Sequence, residues 1–290
     1  MIKWKTYHNL YIKHRDSFQD SQEIMEGEKM DLRLTFNEVP TEYDNLRPQY
    51  ADALSGDIIQ FSSVDKTKKA LEIGIGTGKA TLPFLKTGCE LTAIELGDKL
   101  AQYSKEKFAK YENLKILNQD FESVLLEENS YDLIYSASAF HWIQPEAGMQ
   151  KVSCLLKPGG VFAWFSVQPA PTDENIHNEL QKVYREYERY FKGNVPEFNR
   201  QPETEEKQLY RANLLRKYGF VDVREELYSG TRTLNAKEYA TLCSTYSDHR
   251  AIPEEDRIQF LQKIENAINH CGGEFIFDDT FLLCMGKKSI

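Results

Sequence analysis

The sequence predicts an α/β fold in which a parallel β-sheet carries helices on both faces. Short apolar runs alternate with segments of helical length between residues 69 and 167, and strands that alternate with helices form parallel sheets. Glycine follows the helical segments at "LKTGC" (85–89) and "LLKPGG" (155–160), where a residue in the left-handed conformation ends a helix.

The elements can be assigned in order along the chain. Residues 1–35 mix charged and aromatic residues without a clear period, so we expect an N-terminal arm of uncertain order. The stretch that begins with "PTEYDNLRPQYADAL" is helical in pattern, with Pro48 near the helix start and Tyr50, Leu54 and Ile58 on one stripe. The apolar runs that follow predict strands at 69–73, 90–95, 114–119, 131–137 and 160–167.

After Val167 the pattern changes. A charged, tyrosine-rich helical stretch (175–191) lies between proline-containing segments, and we expect a helical cap insertion over about 168–204. Its tyrosines (Tyr184, Tyr187 and Tyr190) recur at helical spacing, which predicts packing. A helix (205–220), a strand (221–234), two helices (235–246 and 253–273) and a final strand (275–288) follow. We therefore predict one domain over 36–290.

Composition and charge exclude several classes of function. The net charge is −9 and no Lys/Arg cluster stands out, which disfavours binding to nucleic acid. The five cysteines lie far apart without metal-ligand spacing, so neither a disulfide framework nor a zinc site is expected. The sequence shows no signal peptide and no run of membrane-spanning length. We expect a cytoplasmic protein without a membrane partner.

The glycines of "LEIGIGTGKAT" follow the first predicted strand and indicate a nucleotide site. Gly74, Gly76 and Gly78 allow positive φ and a close approach of a ligand to the backbone. The spacing excludes a P-loop. A dinucleotide site remains a rival, since Glu95 would hold ribose hydroxyls in either case. However, the glycines alternate as G-x-G-x-G, and Glu72 suits a cationic amino group better than a pyrophosphate.

Five blocks together resemble one enzyme family: "LEIGIGTGKAT", "AIEL", "NQDFES", "YDLIYSASAFHWI" and "LLKPGGVFAW". In this order they resemble a class I S-adenosylmethionine-dependent methyltransferase, over about residues 36–288. Within that class they are similar to the small-molecule subgroup that includes trans-aconitate methyltransferases and the ubiquinone-biosynthesis type. The resemblance implies a Rossmann-like, seven-stranded, mostly parallel sheet with an antiparallel C-terminal hairpin.

The resemblance also implies roles for individual residues toward the cofactor, S-adenosylmethionine. Glu72 and the three glycines would surround its methionine part, and Glu95 would accept hydrogen bonds from both ribose hydroxyls. Asp120 would read the adenine amino group beside Phe121, while Ser136 to Phe140 would line the methionine side. Alternatively, Glu72 and Glu95 are surface acids at strand ends, and Asp120 only caps the next turn.

Candidate residues for the reacting end come from three segments. His141 lies after the fourth strand, where open α/β sheets bind ligands; it is a general base, or it belongs to a lid or packs against the cofactor. Trp142 beside it is a candidate for the substrate site, where we expect it to pack rather than react. Tyr43, Arg47 and Tyr50 precede the first strand, in a segment that the resemblance implies folds over the cofactor. Arg47 would then pair with a carboxylate of the cofactor or substrate and Tyr43 would contact the substrate; alternatively, the segment is a surface helix start with Tyr50 in the core. In the loop between the last two helices, Tyr246, His249 and Arg250 would bind an anionic substrate or cap helices.

The sequence thus predicts methyl transfer from S-adenosylmethionine to a small molecule. Arg47 and Arg250 favour a carboxylate acceptor. A hydroxyl or ring-carbon acceptor with His141 as base is the first alternative. The others are a non-catalytic protein that binds S-adenosylmethionine and a nicotinamide dehydrogenase. The sequence does not indicate the oligomeric state.

Overall fold

The computed structural model describes residues 32–38, 40–191 and 204–290. Within these residues a seven-stranded sheet has the order β3-β2-β1-β4-β5-β7-β6. Its strands are β1 Lys69–Ile73, β2 Glu90–Glu95, β3 Leu114–Asn118, β4 Tyr131–Ala137, β5 Leu156–Pro171, β6 Phe220–Asn235 and β7 Glu274–Lys288. The pairs β1–β2, β2–β3, β1–β4 and β4–β5 are parallel, and the C-terminal strands are antiparallel. The predicted fold class is confirmed.

The helices connect these strands. Their bounds are α1 Pro40–Leu46, α2 Asp52–Ser62, α3 Thr81–Leu85, α4 Asp98–Lys107, α5 Pro145–Leu155, α6 Glu174–Glu186, α7 Thr204–Lys217, α8 Ala236–Cys243, α9 Ser247–Arg250 and α10 Glu254–His270. Short 3₁₀ helices span Leu32–Glu38, Phe140–Trp142 and Glu188–Tyr190. Among the helices that the structure describes, none is both long and apolar enough to span a lipid bilayer.

The core lies on both faces of the sheet because neighbouring side chains of a strand point to opposite faces. Leu71 of β1 belongs to a buried cluster with Met149 of α5. Ala70, the preceding residue, belongs to a second cluster with Leu54 of α2. The apolar runs are therefore strands covered on both sides, as the alternation of elements predicts.

Three local details differ from the expected pattern. The first helical stretch is interrupted at Arg47–Ala51, because Pro48 lacks an amide hydrogen and disfavours helical backbone in the residue before it. Strand β5 already begins at Leu156, before the glycines that end the preceding segment. Residues Ser247–Arg250 form the short helix α9, where a loop was expected.

The described chain divides into two compact units. Among the described residues, the larger contains 37–38, 40–169, 204–230 and 279–290, and the smaller contains 32–36, 170–191 and 231–278. In the smaller unit, Tyr184 and Tyr187 are buried with their ring centroids 5.3 and 5.2 Å from that of Phe260. Residues 1–31 of the expected arm and 192–203 of the expected insertion lie outside the described residues, and the domain boundaries stay predictions.

Candidate cofactor site

The glycine loop follows β1 and bends back against β2. The amides of Gly74 and Ile75 both donate to the carbonyl of Ile94, at 2.9 and 3.1 Å. Gly74, Gly76 and Gly78 have φ angles of +75°, +54° and +77°, in the region that glycine adopts without strain. The loop therefore depends on these glycines for its backbone conformation.

The three glycines differ in what surrounds them. A Cβ on Gly74 would lie 2.4 Å from the Cβ of Ala139, and one on Gly78 would lie 2.1 Å from Cε2 of Phe108. A Cβ on Gly76 would meet no atom of the described residues within 4 Å, apart from those of its chain neighbours. Gly74 and Gly78 thus allow neighbouring segments to pack closely, whereas Gly76 borders open space that a ligand can fill.

Glu95, the last residue of β2, connects that strand to the glycine loop. Its Oε2 accepts the amide of Gly76 at 2.8 Å, and its Oε1 accepts the amide of Gly97 at 2.9 Å. Burial raises the pKa of Glu95, while the amides of Gly97, Gly76 and Leu96 oppose this rise. Each carboxylate oxygen has a second lone pair, so Glu95 can also accept hydroxyl groups of a sugar.

Glu72 lies in β1, two residues before the first glycine, and is 1% exposed. Its Oε2 accepts the hydroxyls of Thr81 at 2.8 Å and Tyr135 at 3.0 Å. Its Oε1 is buried without a hydrogen-bond partner among the described residues. Burial raises the pKa of Glu72 to about 8. A buried acceptor without a partner is costly, and a cationic amino group would satisfy it.

Asp120 and Phe121 follow β3 at the same edge of the sheet. One carboxylate oxygen of Asp120 accepts the amide of Glu122 at 2.9 Å, so this side chain does cap the turn that follows. Phe121 is 4% exposed and packs in the core with Val124 and Met149. A role for either residue toward an adenine ring stays a prediction.

The end of β4 joins the glycine loop to the segment before α2. Ser136 donates to the carbonyl of Ile73 at 2.9 Å. Ser138 has a φ of +51°, which strains a residue with a Cβ, and its hydroxyl lies 2.7 Å from the hydroxyl of Tyr50. Strain of this kind clusters at functional sites.

The predicted group around Tyr50 is brought together. The guanidinium carbon of Arg47 lies 4.9 Å from the ring centroid of Tyr43. Desolvation raises the pKa of Tyr50, and the hydrogen bond with Ser138 only partly opposes this rise. Among the nearby charges, Arg47 lowers this pKa and Glu72 raises it. Arg47 and Glu72 therefore lie near the same phenol group, which stays neutral.

His141 lies in the 3₁₀ helix after β4, with its ring centroid 5.1 Å from that of Trp142. Desolvation by the surrounding protein is the larger cause that lowers the pKa of His141, and the positive charges of Arg211 and Lys207 lower it further. Water weakens the desolvation of His141, which is exposed, and the lowered pKa leaves a neutral imidazole at pH 7.

Near His141 lie two buried side chains: Trp164 of β5, which pairs with Ser136 near the end of β4, and Arg211 of α7. The guanidinium carbon of Arg211 lies 4.7 Å from the ring centroid of Trp164, and its Nη2 donates to Ser166 at 2.7 Å. Nε1 of Trp164 is buried and has no hydrogen-bond partner within the described part of the chain. These side chains give this end of the sheet a cation and an available donor, which the sequence did not indicate.

The third predicted group, Tyr246, His249 and Arg250, belongs to the smaller unit. His249 is 1% exposed; its Nδ1 lies 2.8 Å from the carbonyl of Cys243 and its Nε2 lies 3.1 Å from the hydroxyl of Tyr184. Arg250 donates to the carbonyl of Ser244 at 3.4 Å. We propose a packing role for His249, and substrate roles for Tyr246 and Arg250 stay predictions.

Sequence reasoning missed two residues beside the glycine loop. Asp44 accepts hydrogen bonds from Lys107 and Tyr103, and Asn37 binds the first turn of α4. Each partner lies about 60 positions away along the chain. No spacing rule connects residues so distant, so these contacts are visible only in the folded chain.

Comparison with known proteins identifies the same region. Residues 71–164, which include the glycine loop and His141, match the family model described as a methyltransferase domain. An uncharacterized methyltransferase-like protein of Schizosaccharomyces pombe is 27% identical over 80% of this chain and 84% of its own. A protein described as a probable S-adenosylmethionine-dependent methyltransferase of Saccharomyces cerevisiae is 32% identical over 50% of each chain. A demethylmenaquinone methyltransferase of Staphylococcus aureus is 27% identical over 49% of this chain and 58% of its own.

Solved structures share the fold. The YcgJ protein from Bacillus subtilis superposes with a TM-score of 0.52 at 16% identity, over 83% of this chain and 100% of that chain. Phosphoethanolamine N-methyltransferase 2 from Haemonchus contortus, solved with S-adenosylhomocysteine, gives a TM-score of 0.53 at 14% identity, over 90% and 61%.

The residues present fit the expected cofactor: Glu95 can accept sugar hydroxyls, and Gly76 leaves space for a ligand. Oε1 of Glu72, which has no hydrogen-bond partner among the described residues, can accept an ammonium. These relatives are not named for trans-aconitate, so that subgroup stays a prediction. The matched methyltransferase domain and the similar methyltransferases support a class I S-adenosylmethionine-dependent methyltransferase.

Proposed function

We propose that the chain transfers a methyl group from S-adenosylmethionine to a small-molecule acceptor bound near the end of β4. The main support is the connection of Glu95 to Gly76 at 2.8 Å, beside the open space at Gly76. An acid that ends β2 and a bare backbone that ends β1 lie side by side, which suits a nucleoside with an amino-acid tail.

Each residue near the loop has a role in this proposal. Glu95 holds the ribose hydroxyls, and Gly76 admits the methionine part. Glu72 receives the ammonium on its unpartnered oxygen, and Arg47 pairs with the methionine carboxylate. Asp120 and Phe121 face the adenine, and Ser136 fixes the end of β4 against β1 through Ile73.

Bound S-adenosylmethionine supplies a methyl group on a positively charged sulfur. The positive charge of the sulfonium is lost during transfer, so the protein contributes mainly by aligning the acceptor and excluding water. The neutral Tyr50, held by Ser138, and the aromatic rings near His141 provide apolar, ordered walls for this step. No strong base is needed when the acceptor is already an anion or a neutral nitrogen.

A carboxylate is the acceptor that we propose first. Support comes from Arg211 and Lys207, whose positive charges act on His141, and from the available donor at Nε1 of Trp164. A small carboxylic acid near His141 would meet these cations and would attack the methyl group directly. Arg250, the other cation considered for this role, lies in the smaller unit.

A hydroxyl or ring-carbon acceptor is the second candidate, because His141 is a neutral imidazole at pH 7 and can accept a proton. The similarity to a demethylmenaquinone methyltransferase over half of the chain also favours this candidate. In this case His141 removes the acceptor proton as the methyl group arrives.

One assay with methyl-labelled S-adenosylmethionine tests the function and separates the two acceptor classes. The protein and its His141→Gln variant are incubated with panels of small carboxylic acids, phenols and quinols. We expect labelled methyl esters, with a rate that changes only a few-fold in the variant. A base role instead predicts a loss of about 10²-fold or more, and loss of the rate increase that parallels deprotonation of His141. The absence of product from every panel would contradict the proposed function.

A further inference from the structure

The helix α4 binds the glycine loop through two of its side chains. It begins at Asp98, three residues after Glu95, and it reaches the loop near its other end. Ser104 donates to the carbonyl of Gly76 at 2.7 Å, and Nζ of Lys107 donates to the carbonyl of Thr77 at 2.9 Å. Two backbone carbonyls of the loop are therefore fixed by side chains of one helix.

Two side chains of the segment before α2, those of Asn37 and Asp44, bind the first and the last turn of this helix. At the first turn of α4, Oδ1 of Asn37 accepts the amides of Lys99 and Leu100 at 2.7 and 3.0 Å. Gly97 makes this possible, because a Cβ there would lie 2.7 Å from Oδ1 of Asn37. Asn37 thus caps α4 in place of a side chain at the usual capping position.

At the last turn of α4, Asp44 binds the lysine that holds the loop. Its two carboxylate oxygens each lie 2.8 Å from Nζ of Lys107, and one accepts the hydroxyl of Tyr103 at 2.9 Å. Its Oδ1 also lies 3.9 Å from Nζ of Lys79, the residue that follows Gly78. Asp44 therefore connects to the loop twice, once directly and once through Lys107.

The charge of Asp44 is maintained at neutral pH. Desolvation opposes it, but the hydrogen bonds of Lys107 and Tyr103 and the charge of Lys107 outweigh this and lower the pKa of Asp44. The carboxylate is only partly exposed, so its attraction for Lys107 is less screened than that of a surface pair. Loss of this ion pair should therefore weaken the hydrogen bond between Lys107 and the carbonyl of Thr77.

We propose that Asp44 is a positioning residue for the cofactor: through Lys107 and Lys79 it holds the glycine loop in the conformation that S-adenosylmethionine binds. This inference rests on the proposed function, because it assumes that the loop receives the cofactor. Asp44 itself touches neither the reacting atoms nor the acceptor. It acts on the backbone that surrounds the methionine part.

The test compares Asp44→Asn with a matched control, Asp132→Asn. Asp132 is also paired with two lysines, Lys68 at 3.3 Å and Lys157 at 2.7 Å, but it lies near the start of β4, at the strand end away from the loop. Affinity for S-adenosylhomocysteine is measured by calorimetry, and kcat and KM for S-adenosylmethionine are measured with the best acceptor. Thermal unfolding reports on stability.

We expect Asp44→Asn to weaken the binding of S-adenosylhomocysteine about tenfold. It should raise the KM for S-adenosylmethionine and leave kcat nearly unchanged, because the interaction is made equally in the ground and transition states. Asp132→Asn should lose thermal stability but keep its affinity. Lys107→Met should also weaken binding, and the loss in the double variant should be smaller than the sum of the two single losses, because Asp44 and Lys107 share one ion pair.

Several results would overturn the inference. Unchanged affinity of Asp44→Asn would reject it, as would an equal loss in Asp132→Asn or full additivity with Lys107→Met. Should Asp44→Asn not fold, Tyr103→Phe removes only one hydrogen bond of the same carboxylate and must still weaken binding. Failure of the parent protein to bind S-adenosylhomocysteine is a separate result, since it would reject the proposed function and with it the basis for this role.

Discussion

Two buried acids determine the chemistry of the candidate site at the residue scale. Glu72 and Glu95 end neighbouring strands, and burial raises the pKa of both. Each oxygen of Glu95 accepts one backbone amide and keeps a second lone pair, whereas Glu72 retains one oxygen without a partner among the described residues. The two carboxyl groups therefore suit two different parts of the cofactor, a neutral diol and an ammonium.

The glycines allow a prediction that separates binding from folding. Gly76→Ala should destabilise the protein by only about 1–2 kcal/mol, the cost of a left-handed alanine, yet reduce affinity for S-adenosylhomocysteine more than tenfold, because its Cβ enters the open space. Gly78→Ala should destabilise more, since its Cβ would overlap Phe108. Calorimetry and thermal unfolding check both. Full affinity in folded Gly76→Ala would mean that the space beside it does not receive the cofactor.

The sequence predicted the residues whose position along the motif defines them, and it missed those defined by distant contacts. Glu72, Glu95 and the glycines are recognisable because they sit at fixed offsets from strand ends. Asp44 and Asn37 depend on the approach of two segments some 60 residues apart, and the donor at Nε1 of Trp164 depends on how its ring packs. Neither feature has a local sequence signal.

At the scale of elements, the presence of a strand was easier to predict than its first and last residues. The apolar run at 69–73 coincides with β1, because a central parallel strand is apolar on both faces. Strand β5 starts four residues earlier than the predicted start at Gly160, since its first residue pairs with Tyr131 across a register shift. Pairing with a neighbour, rather than the apolar character of β5 itself, sets that boundary.

The helix α4 has a function that its own sequence does not suggest. It is a short charged helix with few apolar residues, yet it binds the glycine loop, Asp44 and Asn37 through separate side chains. Its polar character, which indicates a solvated surface helix when viewed alone, instead provides the hydrogen bonds that order the site. Helix α4 thus holds the glycine loop in place through its polar side chains.

At the scale of the whole molecule, Glu72 should link stability to pH. Its pKa rises from 4.5 to about 8 on folding, so its contribution to stability is fully present below pH 4.5 and is lost as the pH rises through about 8. Relative to Glu72→Gln, the free energy of unfolding of the parent should decrease over this window, by at most ~1.4 kcal/mol per pH unit. Urea denaturation at several pH values measures the difference. A difference that does not vary with pH would show that Glu72 is already ionised in the free protein.

The central claim is that the loop at Gly76 and the carboxylate of Glu95 bind S-adenosylmethionine. Calorimetry with S-adenosylhomocysteine and with NAD, on the parent, Glu95→Ala and the control Glu90→Ala, tests it directly. Glu90 lies at the other end of β2 and is exposed. We predict binding of S-adenosylhomocysteine but not NAD, a loss of about hundredfold or more in Glu95→Ala, since two hydrogen bonds to a charged group are removed, and no loss in Glu90→Ala. Preference for NAD, or unchanged affinity in Glu95→Ala, would contradict the account.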